Sequence, residues 1–412
     1  MNKYSRGAIT LEGLCILKSF IHAVLPVLIA SAIGAVAGAP GAAYGAPFTP
    51  TSDATVLERL PFRAGDTRSR TLATLRAAVA QAPADPVASA ALAQAYFELA
   101  LAQSDPRYVG YADAIVVRFA DRMTPELRML RGSLRQYRHG FEEALADFEA
   151  VLLQDPDAAG AHAWRGAIFL VQARYDKAGA ECAALQRLQR PVLYGGCAGM
   201  TQAYSGQLAA AGVSLQQAVS LAKDPGQRLW LHTRQAEVAS WQGNARQAEQ
   251  FYRQALALGQ DDGYLLSAWS DFLLDQGRPA EVVTLLANWE SSDALLLRLT
   301  EAESQLKLPA AAAHIQALDD RFAAAKLRGD TTHRAEEARF QLRLRNNAAA
   351  AVRLAAQSYQ TQKEPRDARI LLEAAVAAKD GEAARPAIDW LKNSGFEDAR
   401  LRALARETKV SQ

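Results

Sequence analysis

The chain has 412 residues, of which half are apolar and 22% are charged, so its composition excludes an intrinsically disordered protein. Alanine is abundant and β-branched residues are sparse outside the N-terminus, which favours helix over strand. Residues 1–45 contain Lys3, Arg6, Lys18 and Glu12, and the remainder holds 43 basic and 43 acidic residues. With no net charge in this remainder, nucleic acid is not expected as a partner.

The first 45 residues have the layout of a secretory signal. Basic residues precede the apolar run Phe20–Ala37, and small residues follow it. We therefore predict a signal peptide over 1–45 and a periplasmic or secreted mature protein, with a linker over 46–69. The apolar run is also about long enough to span a bilayer. The alternative is an uncleaved segment that anchors the protein to the inner membrane through residues 20–37, the one case in which a membrane contact is expected.

A sequence pattern with a period of about 34 residues recurs between residues 70 and 290. In its clearest copy Gly132 is followed by Ala144, Phe148 and Pro156. Two further shifts by about the same period return a similar set of residues: Gly166, Ala178 and Cys182, then Gly199, Ala211 and Leu215. Copies before and after these are less regular.

Each copy predicts two amphipathic helices around a short turn, because apolar residues recur at three- and four-residue spacing on either side of the turn. The turns are predicted at residues 139–141, 173–175, 205–207, 242–244 and 276–278. The small residues are predicted where two helices cross closely, with Gly132 against Ala144, Gly166 against Ala178 and Gly199 against Ala211. The Asp-Pro pairs at 85–86, 155–156 and 224–225 are predicted to begin helices, with Asp as the N-cap.

These residues resemble the tetratricopeptide repeat (TPR) family. The resemblance is good for Pro125–Pro156, fair for 159–225 and looser for 86–124 and 229–290. It implies an all-α fold, an α-α superhelix of about seven to nine helical hairpins. Beyond Ser291 the period blurs but seven further helices are predicted, at 294–307, 310–328, 332–345, 347–362, 366–379, 383–393 and 397–408. We interpret 291–412 as degenerate TPR-like hairpins with a C-terminal cap, the alternative being a separate small helical domain.

The resemblance also implies a function. TPR arrays line a concave groove with the first helix of each hairpin, and the groove binds a protein or a peptide. Matching positions in this chain carry aromatic side chains with a few charges, a combination suited to peptide capture. The candidate groove residues are Tyr137, Met200, Tyr204, Trp230, Arg234, Glu237, Trp241, Asp271 and Asp275. Each aromatic could instead pack between repeats.

No motif in the chain carries recognisable chemistry. The six His residues are scattered, none at metal-binding spacing, and there is no phosphate-binding loop or nucleophile elbow. We therefore expect no metal, no cofactor and no enzymatic activity. The alternative is an enzyme or a carbohydrate-handling accessory protein with its site in the C-terminal third, which a convergent buried cluster of acids or His there would favour.

Cys182 and Cys197 are the two cysteines that follow the predicted signal. Cys182 lies about eight residues before the turn around Arg190 and Cys197 about seven after it, so on antiparallel helices they stand at nearly equal heights. In an oxidising compartment they are predicted to form a disulfide. The alternative is two small core residues where Ala is usual.

Taken together, the sequence favours a non-enzymatic scaffold for protein–protein interaction in the bacterial cell envelope. A membrane-anchored assembly factor is the alternative, differing in whether residues 20–37 stay attached.

Overall fold

The computed structural model describes Ser52, residues 67–330 and residues 332–408, and the predicted signal peptide and its alternative as an anchor lie outside these residues. The described part contains twenty α-helices and a 3-10 helix at Val117–Arg122. In chain order the helices are α1 Thr67–Gln81, α2 Pro86–Gln103, α3 Arg107–Val116, α4 Pro125–Tyr137, α5 Phe141–Leu152, α6 Ala159–Val171, α7 Tyr175–Arg187, α8 Pro191–Tyr204, α9 Leu208–Leu221, α10 Pro225–Trp241, α11 Ala245–Leu256, α12 Gly263–Asp275, α13 Pro279–Leu286, α14 Asp293–Leu306, α15 Ala310–Leu327, α16 Arg334–Arg343, α17 Ala348–Tyr359, α18 Pro365–Ala378, α19 Gly381–Ser394 and α20 Ala399–Glu407.

The helices pack as antiparallel hairpins, and each hairpin stacks on the next. Within the described ranges there are nine hairpins, from α2/α3 to α18/α19, with α1 and α20 as single helices at the ends. The predicted all-α superhelix of helical hairpins is confirmed. The seven helices predicted beyond Ser291 are present as α14 to α20, each within three residues of its predicted ends.

The helices begin where the sequence supplies a cap. Asp85 and Asp224 accept hydrogen bonds from the backbone N–H groups of Val87 and Gln227 at the starts of α2 and α10, as their Asp-Pro pairs predict. The third pair behaves differently. Asp155 accepts from the N–H of Asp157 in a turn, and α6 begins only at Ala159 without a side-chain cap. An Asp-Pro pair therefore indicates a turn as readily as a helix start.

The five predicted turns share one backbone feature, a residue in the left-handed region after the first helix of the hairpin. Gly206, Gly243 and Gly277 fill this place in three of the turns, with φ between 67° and 75°. His139 and Ala173 fill it in the other two, at φ values of 62° and 58°. The reversal of the chain is thus a local property of the turn, and it is cheapest where the residue is glycine.

The close helix crossings are real, and one of the three predicted pairs is found. A Cβ atom built on Gly199 would lie 3.3 Å from the Ala211 carbonyl oxygen, although the Leu215 side chain is closer at 2.8 Å. A Cβ atom built on Gly132 would first meet the ring of Phe148, at 2.6 Å. A Cβ on Gly166 would lie 3.3 Å from the Cys197 sulfur and 3.4 Å from Cβ of Glu181. The small residues therefore make room for a large side chain of the neighbouring helix, which the period alone cannot show.

The last hairpins pack against the first half of the chain. One apolar core contains buried residues from Leu72 to Val238 together with buried residues from Ala338 to Leu401. A second core joins Leu229 to Phe340. The superhelix therefore closes on itself. None of the helices in the described ranges is long and apolar enough to cross a membrane.

A disulfide bond joins the hairpin α6/α7 to the hairpin α8/α9. The sulfur atoms of Cys182 on α7 and Cys197 on α8 lie 2.03 Å apart, with the two Cα atoms at 5.5 Å. The bond falls where the sequence predicts one, and it closes a loop of 15 residues.

The crossing at Gly132 can be tested with a matched pair of substitutions. Gly132→Ala should destabilise the fold by about 1–3 kcal/mol, because the new methyl group collides with the fully buried Phe148. Gly179→Ala, in α7, meets nothing within 4 Å and should stabilise by about 0.5–1 kcal/mol through helix propensity. Urea denaturation measures both changes, and two changes of the same sign would contradict this account of the crossing.

The disulfide predicts a labelling pattern. The full chain with Cys15→Ser, unfolded without reductant, should take up no thiol reagent, and two labels should appear after reduction. Reduction should lower the free energy of unfolding by about 3 kcal/mol, as expected for a loop of this length. Two labels before reduction would show that the cysteines are free core residues. Mass spectrometry counts the labels.

Candidate functional site

Closure of the superhelix is made by specific contacts at the C-terminal ends of the earlier first helices. The backbone N–H of Lys363 donates to the carbonyl of Val171, the last residue of α6, at 2.8 Å. The indole N–H of Trp390 donates to the Tyr175 hydroxyl at 2.6 Å. The Tyr204 hydroxyl, at the end of α8, donates to Glu364 at 3.1 Å. The C-terminal hairpins therefore cover the surface that the repeat pattern alone would leave open.

Phe396 packs at the centre of the contact between the C-terminal hairpins and the earlier ones. It is fully buried, and its ring meets those of Trp241, Trp390 and Tyr204 at centroid separations of 5.3, 5.2 and 6.3 Å. Edge-to-face and tilted aromatic pairs of this kind are each worth about 0.5–1.5 kcal/mol beyond the area that they bury. The three partners belong to α10, α19 and α8, so one side chain of the loop before α20 ties distant hairpins together.

The closure encloses a cavity of about 610 Å³. Its walls come from the ends of α8 and α10, from α12, and from α18 and α20. Aromatic and charged side chains share the lining. The aromatics are Tyr204, Trp241, Tyr252, Tyr264 and Phe272, the carboxylates Glu237, Asp271, Asp275, Glu364, Glu397 and Asp398, and the arginines Arg298, Arg366, Arg369 and Arg400.

The structure brings five of the nine predicted groove residues to this cavity. Tyr204, Glu237, Trp241, Asp271 and Asp275 line it. The others, Tyr137, Met200, Trp230 and Arg234, are at most 4% exposed and lie beside it or away from it.

Three of those other residues pack between repeats. Tyr137 meets Phe97 edge to face at 6.1 Å, and Met200 lies in the same apolar core. Trp230 fills the space over Gly196, where a Cβ atom would lie 2.1 Å from the indole. A large apolar residue of a first helix can either line the cavity or pack between repeats, and the sequence does not distinguish these two positions.

Arg234 is buried beside the cavity as part of a polar cluster. Its guanidinium donates to Glu237 at 2.8 Å and to the Tyr264 hydroxyl at 2.6 Å, and it lies 4.3 Å from the centroid of the Tyr264 ring. The Tyr264 hydroxyl donates to the other oxygen of Glu237. These contacts fix the lining residue Glu237 in position, so Arg234 acts on the cavity wall through it.

The wall formed by α12 is held by arginines from four other helices. Asp271 accepts from Arg298 at 2.8 Å and from Arg339 at 2.6 Å. Burial alone would raise the pKa of Asp271, but the two guanidinium groups outweigh it and hold that pKa well below its ordinary value. Asp275, one turn later, accepts from Arg369 at 2.7 Å and also from Arg400. The carboxylates of this wall are therefore ionised and already paired.

One buried carboxyl group has the opposite behaviour. Asp367 lies on a smaller neighbouring cavity of about 120 Å³ and is 3% exposed. Burial raises its pKa to about 8, and the nearby Glu364 adds to the effect while Arg366 opposes it. Asp367 also accepts the backbone N–H of Glu364 as the third residue of a capping box at the start of α18.

Sequence reasoning missed the C-terminal half of the site. Glu364, Arg366, Arg369 and Arg400 line the cavity, and Tyr264 joins them from α12. A partial signal exists, since Arg366 and Arg369 stand three residues apart and so share one face of α18. Nothing in the sequence indicates that this face meets α12. No group of three or more His, Cys, Asp or Glu side chains in the described part of the chain is arranged to hold a metal ion.

No family model matches the chain, and no curated protein matches it. Solved structures do match. The APC/C hetero-tetramer Cut9-Hcn1 has 14% identity over 83% of this chain and 53% of that chain, with a TM-score of 0.39. This chain thus spans about half the length of that match.

Two further structures show the same general likeness. The human IFIT1 dimer with m7Gppp-AAAA has 14% identity over 83% of this chain and 85% of that chain, with a TM-score of 0.43. The TPR domain of P58(IPK) has 14% identity over 84% and 94% of the two chains, with a TM-score of 0.21. The fold is TPR-like. The stacked antiparallel hairpins themselves show this fold.

The raised pKa of Asp367 predicts a pH dependence of stability. Unfolded, this carboxyl titrates near pH 4, whereas in the fold it keeps its proton up to about pH 8. Between these values the folded state binds the extra proton, so the contribution of Asp367 to stability is full below pH 4 and is lost as pH rises toward 8. Asp367→Asn keeps an acceptor for the Glu364 N–H and removes the titration.

The variant should therefore gain stability relative to the unmodified chain as pH rises from 5 to 8. Urea denaturation at both pH values measures the difference in the free energy of unfolding. Asp389→Asn, at an exposed position that does not line the cavity, controls for the loss of one charge. A difference that stays constant between the two pH values would contradict the raised pKa.

Proposed function

We propose that the protein is a non-enzymatic scaffold that holds a short segment of a protein partner in its interior cavity. The observation that carries the proposal is the cavity itself, preformed between distant hairpins and lined by aromatic and charged side chains. Its volume lies in the range of about 300–1,000 Å³ that is typical of ligand sites. Because the walls are fixed by ion pairs and by the Phe396 contact, little ordering is required on binding.

The cavity is open to solvent at one rim. Ala209, Gln242, Gly243 and Glu397 line it and are exposed, whereas Tyr252, Ser267 and Phe272 line it and are buried. Ser267 lies in the buried part of the wall, and its hydroxyl has no hydrogen-bond partner among the described residues. A peptide backbone supplies donors and acceptors that suit such a group.

The chemistry of the lining favours binding over catalysis. The acids of the C-terminal third do converge, as the alternative of an enzyme requires. Glu301 and Glu364, however, are already engaged in ion pairs, with Arg339 at 2.6 Å and with Arg366 at 2.9 Å. The exception, Asp367, is engaged in the capping box of α18.

We further propose that the scaffold works in the envelope of a bacterium after export. The support is the signal-like layout of residues 1–45 and the position of Cys182 and Cys197, whose bond would persist in an oxidising compartment. If residues 20–37 stay attached, the same scaffold is a membrane-anchored assembly factor. Sequencing the N-terminus of the mature protein separates the two forms.

A pair of adjacent substitutions tests the cavity. Ala209→Trp places an indole on an exposed rim residue and should block entry. Ala210→Trp makes the same change on the next residue, which is exposed and does not line the cavity. We expect the unmodified chain and Ala210→Trp to retain the same peptides from a pool of synthetic hexapeptides, and Ala209→Trp to retain at least tenfold less. Gel filtration and mass spectrometry give the amounts.

Any of three outcomes would overturn the proposal. The first is that no peptide is retained, and the second is that both tryptophan variants retain as much as the unmodified chain. The third is that the retained peptides are recovered cleaved, which would indicate an enzyme. The circular dichroism melting curve of each variant shows whether its fold is intact.

A further inference from the structure

Two carboxylates at the rim of the cavity are left without a cationic partner. Each of the four lining arginines holds a carboxylate: Arg298 holds Asp271, Arg366 holds Glu364, and Arg369 and Arg400 share Asp275. Glu237 is held by Arg234. Glu397 and Asp398 remain, and no Lys, Arg or His of the described residues lies within 4.0 Å of either. The lining itself carries six carboxylates and four arginines, and Glu397 and Asp398 are the lining carboxylates that no cation of the described residues contacts.

The two carboxylates are fixed in position by backbone groups. One oxygen of Glu397 accepts the N–H of Leu208, the first residue of α9, at 2.9 Å. One oxygen of Asp398 accepts the N–H groups of Arg400 and Leu401 at 2.7 and 3.0 Å and so caps α20. Backbone N–H groups at a helix N-terminus hold an accepting carboxylate in place. The second oxygen of each group has no donor in the described part of the chain and is available to a ligand.

An aromatic ring lines the same cavity as these carboxylates. Trp241 lines the same cavity and is half-buried, and its ring lies 5.3 Å from that of Phe396, the residue that precedes Glu397. A tryptophan face beside negative charge attracts a cation and covers an aliphatic stem at the same time. The Ser267 hydroxyl, buried and without a partner, lies on the wall of the same cavity.

We propose that the bound segment is basic, with a Lys or Arg side chain at the rim. Its cation meets Glu397 and Asp398, its stem lies along Trp241, and the peptide backbone extends toward Ser267. This inference rests on the proposed function and adds the class of ligand. Arg400 does not neutralise the rim, since Asp275 holds its guanidinium. An anionic segment would meet uncompensated carboxylates and be repelled.

Three synthetic peptides that differ in one residue type test the proposal with the full chain. They are acetyl-Leu-Lys-Leu-Lys-Leu-amide and its counterparts with Gln or Glu in place of Lys. At low salt the Lys peptide should bind about fivefold to tenfold more tightly than the Gln peptide, and the Glu peptide more weakly than either. The preference should shrink at about 0.5 M salt, where charges beyond a few ångströms are screened. Titration calorimetry gives the affinities.

Charge removal at the rim locates the effect. The double variant Glu397→Gln and Asp398→Asn keeps an acceptor for the Leu208 N–H and a good N-cap for α20 while removing both charges. It should reduce the ratio of the Lys and Gln affinities to about one. The double variant Glu382→Gln and Asp389→Asn removes two charges from exposed residues of α19 that do not line the cavity, and should keep the preference.

The outcomes separate this inference from the proposed function. Equal affinities for the three peptides, a preference for Glu, or a Lys preference that survives removal of the rim charges would each show that the ligand class or its placement is wrong. In those cases the loss of pool binding in Ala209→Trp would still support a peptide scaffold. If neither the pool nor the three peptides bind, the scaffold proposal fails as well.

Discussion

A helical hairpin cannot bury its apolar faces alone, and this constraint governs the whole chain. Each hairpin must therefore stack on the next, and a helix at the end of a stack presents one face to water. In this protein the stack does not continue as an open array. The C-terminal hairpins pack back on the earlier ones, so that Phe396 and Trp390 share a core with Tyr175 and Tyr204. The cavity is a consequence of that closure, because the returning hairpins face helix ends that carry polar groups.

The helices could be predicted from the sequence because their causes are local. Caps, prolines and three- and four-residue spacing lie within a few residues of the elements that they specify, and even the seven helices after Ser291 follow from such signals. The sequence predicts that small residues lie at close helix crossings, but not always which side chain each of them meets. Whether Gly132 accommodates Ala144 or the ring of Phe148 depends on the relative rotation of two helices, which a sequence period does not fix.

The site could be predicted only in part, for the opposite reason. Its contacts join residues far apart in the chain, with 160 positions between Tyr204 and Glu364 and 125 between Asp275 and Arg400. The resemblance to TPR proteins selects Tyr204, Trp241 and Asp271 because it specifies the first helices of the hairpins. It carries no information about what lies against them. The arginines of α18 and α20 are outside the regular repeats, and their importance depends on a closure that no local pattern encodes.

The charges of the interior also bear on what the cavity is for. A buried ion pair is weak evidence for stability, since apolar residues of similar volume often serve as well or better. Asp271, Arg298 and Arg339 could be replaced in that way if the interior were only a core. Such pairs are useful where a wall must stay polar and rigid around a space that water or a ligand occupies. The paired carboxylates then shape the wall. Glu397 and Asp398, which no arginine contacts, are the carboxylates that we propose select the ligand.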